Sequence, residues 1–213
     1  EFRIRLITSI FLCFTLYFSI INKFVLFIVL LVIFFQMLIE FYLMIKKILI
    51  KKNKIILFFY LTLTLIYLLI FILCVSITFL FQTNNEINLL IMTITICISS
   101  DIGGYIFGKV IKGKKLTKIS PKKTYAGLFG AYVLSLITSY IFFIEFYSLS
   151  FIILFSIIIS TISQIGDLFI SFLKRLAKIK DTGKFLPGHG GLLDRLDGIL
   201  FAIPFSLILK LYI

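Results

Sequence analysis

Apolar residues occur along this chain in long unbroken runs, separated by short charged or polar breaks. The runs lie at about Leu6–Ile21, Phe24–Ile45, Ile55–Phe81, Ile87–Phe107, Tyr125–Tyr147, Leu149–Leu173 and Leu196–Ile213. Each approaches or exceeds the length an α-helix needs to cross the hydrocarbon core, roughly 20 residues at 1.5 Å per residue. A transmembrane β-strand would alternate apolar and polar positions over about ten residues, and these runs are apolar on every side. The pattern therefore predicts an all-α, polytopic integral membrane helical bundle of seven transmembrane helices. Two breaks are thin: Asn22-Lys23 and the stretch around Ser148 leave almost no loop.

Composition excludes a water-soluble domain. The chain is 61% hydrophobic and 15% charged, with a mean hydropathy of +1.17. Soluble domains carry roughly 45–50% apolar and about 25% charged residues. The net charge of +13 would suggest nucleic acid in a soluble protein. In a membrane protein it reads as topology, and no nucleic-acid partner is expected. With the N-terminus inside, Arg3, Arg5, Lys46, Lys47, Lys51, Lys52, Lys54, the lysines from Lys109 to Lys123 and the basic residues from Lys174 to Arg195 are all cytoplasmic. Only Lys23 and Lys210 of the 22 basic residues then lie outside. A cleaved signal peptide accounts less well for the first run, because no small-residue cleavage site follows and a second span begins at once. The first residue is Glu1 and not Met, so a few residues are expected to precede it. Cys13, Cys74 and Cys97 all lie within apolar runs and read as small hydrophobes.

Residues 1–81 contain two acids, Glu1 and Glu40, and no glycine or proline; all 12 glycines and all 3 prolines lie beyond residue 100. Residues 1–81 are thus expected to pack and anchor. Residues 82–213 are expected to form a catalytic transmembrane domain with cytoplasmic loops at 108–124 and 174–195.

Every aspartate falls in that second part. Asp101 and Asp167 lie within predicted spans, where a bare charge costs roughly 2.5–3.5 kcal/mol on insertion scales. Asp101 is eight residues before Lys109 and Asp167 seven before Lys174. Both are then on the order of 10 Å below the cytoplasmic surface, which suggests one shared site. Asp194 and Asp197 are three apart and share a face at the start of the last helix. Capping alone could account for either. Asp167, Asp194 and Asp197 together suggest a hard-cation site suited to magnesium, which takes one or two carboxylates plus phosphate oxygens and water.

The run from Lys180 to Gly191 places Gly188, Gly190 and Gly191 around His189, the one histidine, so that backbone N–H groups can approach an anion. His189 is either a structural hydrogen-bonder or a phosphate contact. Ser120, Lys122, Lys123 and Thr124 pair hydroxyls with ammonium groups at a helix start, where phosphate is favoured. The spacing of Gly104 and Gly108 suits close helix contact.

The stretch Ser171-Phe-Leu-Lys174-Arg175, followed by Lys180-Asp181, Gly183, Leu186-Pro187, His189-Gly190-Gly191 and Asp194-Arg195-Leu196-Asp197, resembles the full signature of the phosphatidate cytidylyltransferases, or CDP-diacylglycerol synthases. Asp101-Ile-Gly-Gly-Tyr105, Gly108 and Ser120-Pro121-Lys122-Lys123-Thr124 resemble the second recurrent segment of that family. The likeness covers about residues 95–213, while the first three spans resemble the family only in being hydrophobic. Ala126 departs from it, since many members have Glu or Gln there, and the chain is short for the family.

The resemblance implies a multi-pass enzyme of phospholipid biosynthesis in the bacterial cytoplasmic (inner) membrane, its site facing the cytoplasm. It would join CTP to phosphatidate, giving CDP-diacylglycerol and pyrophosphate. Magnesium is the implied cofactor, with room for a second cation, and a homodimer is compatible with the family. By position, Asp167 and Asp194 would be metal ligands, with Asp197 and Asp181 supporting the site. Lys122, Lys123, Lys174, Arg175 and Arg195 are candidate phosphate donors, the two arginines through their planar fork. Asp101, Ser120, Thr124, His189, Gly190 and Gly191 complete the candidate binding set. Two other readings compete: a CTP-dependent lipid or polyprenol kinase, and a cation transporter built on intramembrane aspartates.

Overall fold

The computed structural model describes residues 8, 10, 12, 14–15, 17–19, 21–49, 54–81, 84–117, 120–188 and 190–210. Each described residue between 8 and 21 is helical. Six longer helices follow: α1 (Lys23–Ile48), α2 (Lys54–Phe81), α3 (Asn84–Val110), α4 (Tyr125–Phe143), α5 (Leu149–Leu176) and α6 (Leu193–Leu209). The stretches Lys23–Ile48, Lys54–Phe79, Asn85–Val110, Tyr125–Phe143 and Leu149–Leu176 are long and apolar enough to cross a bilayer. The last helix is shorter, 17 residues, and holds Pro204 in its interior. Among the described residues the only β pairing is two isolated bridges, Lys115 with Thr124 and Leu186 with Gly190. The chain is therefore all-α, with the helices of a multi-pass membrane protein.

Two of the polar breaks supply side-chain caps that start the next helix. At Asn22 the side-chain oxygen accepts from the N–H of Phe24 at 2.9 Å, so a one-residue break is enough to start α1. Thr124 does the same for α4, its Oγ1 accepting from Gly127 N at 3.1 Å. Helix α5 ends with Lys178 in the left-handed region at φ 54°, Ile179 N donating to Lys174 O and Lys178 N to Arg175 O. That is a Schellman closure built on lysine where glycine is usual.

The backbone divides into two compact units, Glu1–Phe79 with Leu173–Leu196, and Leu80–Phe172 with Asp197–Ile213. The glycine-rich loop lies in the first of these units. In the first unit α1 buries Leu30, Met37, Phe41, Met44 and Ile45, spaced by sevens, fours and threes as one stripe. Phe24, Phe27, Leu31 and Phe35 are exposed, as lipid contact requires.

The second unit packs Leu89, Met92, Ile96 and Cys97 of α3 with Phe143, with Ile152, Phe155 and Ile159 of α5, and with Ala202 of α6. Hydroxyls bridge the same helices: Thr138 donates to Ser99 at 2.9 Å, Ser100 and Ser160 are 3.1 Å apart, and Tyr132 and Thr161 2.9 Å apart. Helices α3 and α4 meet through glycine. A Cβ at Gly103 would collide with the Gly130 carbonyl, and one at Gly127 would lie 2.7 Å from Gly104 O. The close contact that the spacing of Gly104 and Gly108 suggested is made chiefly by Gly103, Gly127 and Gly130, while a Cβ at Gly108 would lie 3.3 Å from Thr124 Oγ1. Gly103→Ala is expected to cost about 1–3 kcal/mol by overpacking against backbone. Gly104→Ala, whose Cβ would meet only Gly127 O at 3.7 Å, is expected to cost much less. Thermal unfolding of both variants in one detergent checks the contrast.

Candidate active site

In the second unit the loop between α3 and α4 doubles back on itself. Leu116 N donates to Lys123 O at 2.8 Å and Tyr125 N to Lys114 O at 3.1 Å. At its tip Lys123 N donates to Ser120 O at 3.0 Å, closing a β-turn with Pro121 at its second position, where proline is favoured. The turn delivers Lys123 to Asp167, with Nζ 2.5 Å from Oδ2. Ser171, one helical turn on, donates to Asp167 Oδ1 at 3.3 Å.

Asp197 comes to the same place. Its side chain meets that of Asp167, and Asp101 acts electrostatically on Asp197 and is itself acted on by Asp167 and Lys123. Close approach of α6 to α5 makes this possible: a Cβ at Gly166 would lie 2.9 Å from Asp197 O, and one at Gly198 would collide with Ser163. Asp101 is nine residues before the end of α3 at Val110, and Asp167 nine before the end of α5 at Leu176. Both are therefore about 14 Å from those helix ends.

The first unit holds Asp194 and its partners. Asp194, in the first turn of α6 and ahead of its apolar part, accepts from Lys174 Nζ at 2.7 Å through Oδ1. Its Oδ2 accepts from Thr182 N at 2.8 Å and Gly191 N at 3.1 Å. Burial by itself would raise this carboxyl, but Lys174 and the two N–H groups outweigh it and hold Asp194 below its ordinary value. The ionised form therefore stabilises the unit at neutral pH, and that contribution is lost as pH falls through the lowered value. The loop that supplies these donors is pinned at its tip. Leu186 and Gly190 exchange both backbone bonds, at 2.9 and 3.1 Å, while Gly188 and Gly190 take φ of 78° and 90°.

The expected site residues thus fall into two groups. Asp101, Lys123, Asp167 and Asp197 come together in one unit, where Thr124 caps α4. Lys174, Gly190, Gly191 and Asp194 come together in the other, with Asp181 beside Gly190. Of the three aspartates expected as one ligand set, Asp167 and Asp197 meet within the second unit, and Asp194 has its hydrogen-bond partners within the first. Among the described residues no three His, Cys, Asp or Glu side chains are gathered to hold a metal. Lys122, Arg175, Asp181 and Arg195 are exposed, and Ser120 is half-buried with its carbonyl in the turn. His189 lies outside the described residues.

Sequence reasoning passed over Glu40 and Thr182. Glu40 is 1% exposed in the middle of α1, yet it accepts from Leu192 N and Leu193 N, both at 2.9 Å, and from Thr182 Oγ1 at 2.6 Å. Residues 1–81 therefore do more than pack and anchor. The available signal was one acid in a long apolar span, which must find polar partners.

A model of the cytidylyltransferase family matches residues 1–213. Among curated proteins, the phosphatidate cytidylyltransferase of Rickettsia prowazekii (strain Madrid E) is 41% identical over 145 residues, covering 62% of this chain and 64% of that protein. That of Rickettsia bellii (strain RML369-C) is 39% identical over 156 residues, 66% of this chain and 68% of the relative. That of Staphylococcus saprophyticus is 37% identical over 140 residues, 63% and 54%. The matched stretches thus span about two thirds of these relatives' length or less.

Proposed function

The chain belongs to the cytidylyltransferase family, and from that premise we propose that it transfers the cytidylyl group of CTP to phosphatidate, giving CDP-diacylglycerol and pyrophosphate. The observation that carries the reading is the Asp167 centre. Asp167 and Asp197 meet beside the Lys123 ammonium, with Asp101 acting on them electrostatically, on helices that include spans apolar enough to cross a bilayer. A phosphatidate oxygen attacks the α-phosphorus of CTP in line. The new bond joins the lipid phosphate to that phosphorus, and the bond to the β-phosphate breaks as pyrophosphate leaves. No protein nucleophile is required. The work of the protein is position and charge neutralisation.

Asp167, Asp197 and Asp194 offer only hard oxygen donors, so the residues fit magnesium, and a second cation is compatible with them. Meeting as a pair, Asp167 and Asp197 suit a cation that keeps waters and takes its other ligands from phosphate. When bound, magnesium supplies charge neutralisation on the phosphate oxygens. Lys123 and Lys174, each already turned toward a carboxylate, offer ammonium groups to phosphates that arrive beside them. Lys122, Arg175 and Arg195, all exposed, are placed to draw anionic substrates toward the surface. The lysine-rich segments Lys46–Lys54 and Lys109–Lys123 support a cytoplasm-facing site in the bacterial inner membrane, and a homodimer is compatible with this assignment.

The test is positional labelling in detergent with phosphatidate and magnesium. Label at the α-phosphorus of CTP is expected to enter the lipid fraction, and omission of magnesium is expected to stop it. Label entering lipid only from the γ-position would make the protein a lipid kinase and overturn the assignment. Cation flux without CTP, and no label in lipid, would make it a transporter.

A further inference from the structure

We propose that Glu40 is a positioning residue that holds the glycine-rich loop and, through Thr182, aims Asp194; the assignment rests on the cytidylyltransferase reading above. Glu40 lies on α1, far in sequence from any motif of the site, yet its carboxylate ties together both ends of the loop. Oε1 accepts from Leu192 N at 2.9 Å and from Gln36 Nε2 at 2.8 Å. Oε2 accepts from Leu193 N at 2.9 Å and from Thr182 Oγ1 at 2.6 Å. All four bonds run toward the carboxylate, so the buried charge is satisfied by the loop and the start of α6.

Thr182 passes this arrangement on. Its single hydroxyl proton goes to Glu40, the shorter contact, and its backbone N–H then donates to Asp194 Oδ2 at 2.8 Å. Its Oγ1 is also 3.1 Å from Asp194 Oδ2. One residue thus touches both carboxylates and spaces them. The loop is shaped around Glu40 as well. A Cβ at Gly183 would lie 2.9 Å from Glu40 Oε1, and one at Gly191 would collide with Thr182 Oγ1. Two glycines of the loop are therefore required by the space that Glu40 and Thr182 occupy.

A carboxylate is needed there, because each of its oxygens faces one backbone N–H. A glutamine turned either way puts its NH2 against Leu192 N–H or Leu193 N–H, and two donors cannot pair. Glu40→Gln is thus expected to loosen the loop although it changes shape very little.

The experiment uses the purified full chain in detergent. Glu40→Gln is expected to lower kcat for α-label transfer about 10- to 100-fold, and to weaken Mn2+ binding in the presence of CTP by a similar factor, read by electron paramagnetic resonance. A role in folding alone would reduce the amount of active protein and leave the Mn2+ dissociation constant unchanged. Thr182→Ser and Thr182→Val form the second arm. Serine keeps the hydroxyl and is expected to run near the wild-type rate; valine keeps the shape and is expected to lose about tenfold. Simple packing predicts the reverse order, since serine leaves a void. Wild-type kcat and Mn2+ affinity in Glu40→Gln, with label transfer intact in the wild type, overturn the role of Glu40 alone. If Glu40→Gln does not fold, valine matching or exceeding serine at position 182 overturns it. A wild type that places no α-label in lipid overturns this assignment together with the reaction.

Discussion

Asp167→Asn is expected to reduce cytidylyl transfer by at least about a hundredfold, while the protein inserts, purifies and melts close to the wild type. The loss follows from removing one of the two facing carboxylates that would hold a cation against the reacting phosphates. The modest effect on stability follows from exposure. Lys123 comes from the loop ahead of α4 and is 26% exposed, so the ammonium that the variant leaves behind can swing away toward the interface. A partly exposed pair contributes about 0–1 kcal/mol. Turnover and melting temperature measured on one preparation check both halves. Near-normal turnover would remove Asp167 from the site, and a collapse in melting temperature would make its role structural.

Asp194→Asn is expected to remove activity as well, and to destabilise the protein measurably, which separates it from Asp167→Asn. Lys174 and Asp194 are 14% and 10% exposed at 2.7 Å, a pair much closer to fully buried. Breaking such a pair on one side costs about 3–5 kcal/mol when burial is complete, so the lower end applies here. The amide also brings an NH2 group against Lys174 or against the N–H groups of Thr182 and Gly191, whichever way it turns. Lys174→Met in the Asp194→Asn background is expected to recover part of the stability and none of the activity. Thermal unfolding of the single and double variants measures the coupling. Equal melting temperatures for the two aspartate variants would refute the difference in burial on which this rests.

The spans were legible because a bilayer enforces its own code. A helix in lipid needs an apolar run of fixed length, and a short break such as Asn22 or Thr124 both interrupts the run and caps the next helix. The spacing of Gly104 and Gly108 pointed to close approach on α3, but the tightest contact falls one residue earlier, at Gly103. Asp101 and Asp167 were placed at one depth by counting along helices, which needs no tertiary knowledge. What could not be counted is which helices bring their aspartates together. The spacing of Asp194 and Asp197 suggested one ligand set with Asp167. In the structure Asp197 turns to Asp167, and Asp194 turns to Lys174 and the loop, since those donors are nearer to hand than any periodicity can tell. Glu40 was missed for a related reason. Its partners are Thr182, Leu192 and Leu193, more than 140 residues away in sequence, and two of the three bonds use backbone N–H groups, which every sequence has.

The two lysine pairs also bear on how the protein is made. A nascent chain meets the bilayer before its site has turned over any nucleotide, and an uncompensated aspartate at that moment weighs about 2.5–3.5 kcal/mol against insertion. Lys123 on Asp167 and Lys174 on Asp194 supply the counter-charge from the chain itself. Insertion is thereby freed from any outside source of counter-charge, since each of these carboxylates enters the folded protein already paired.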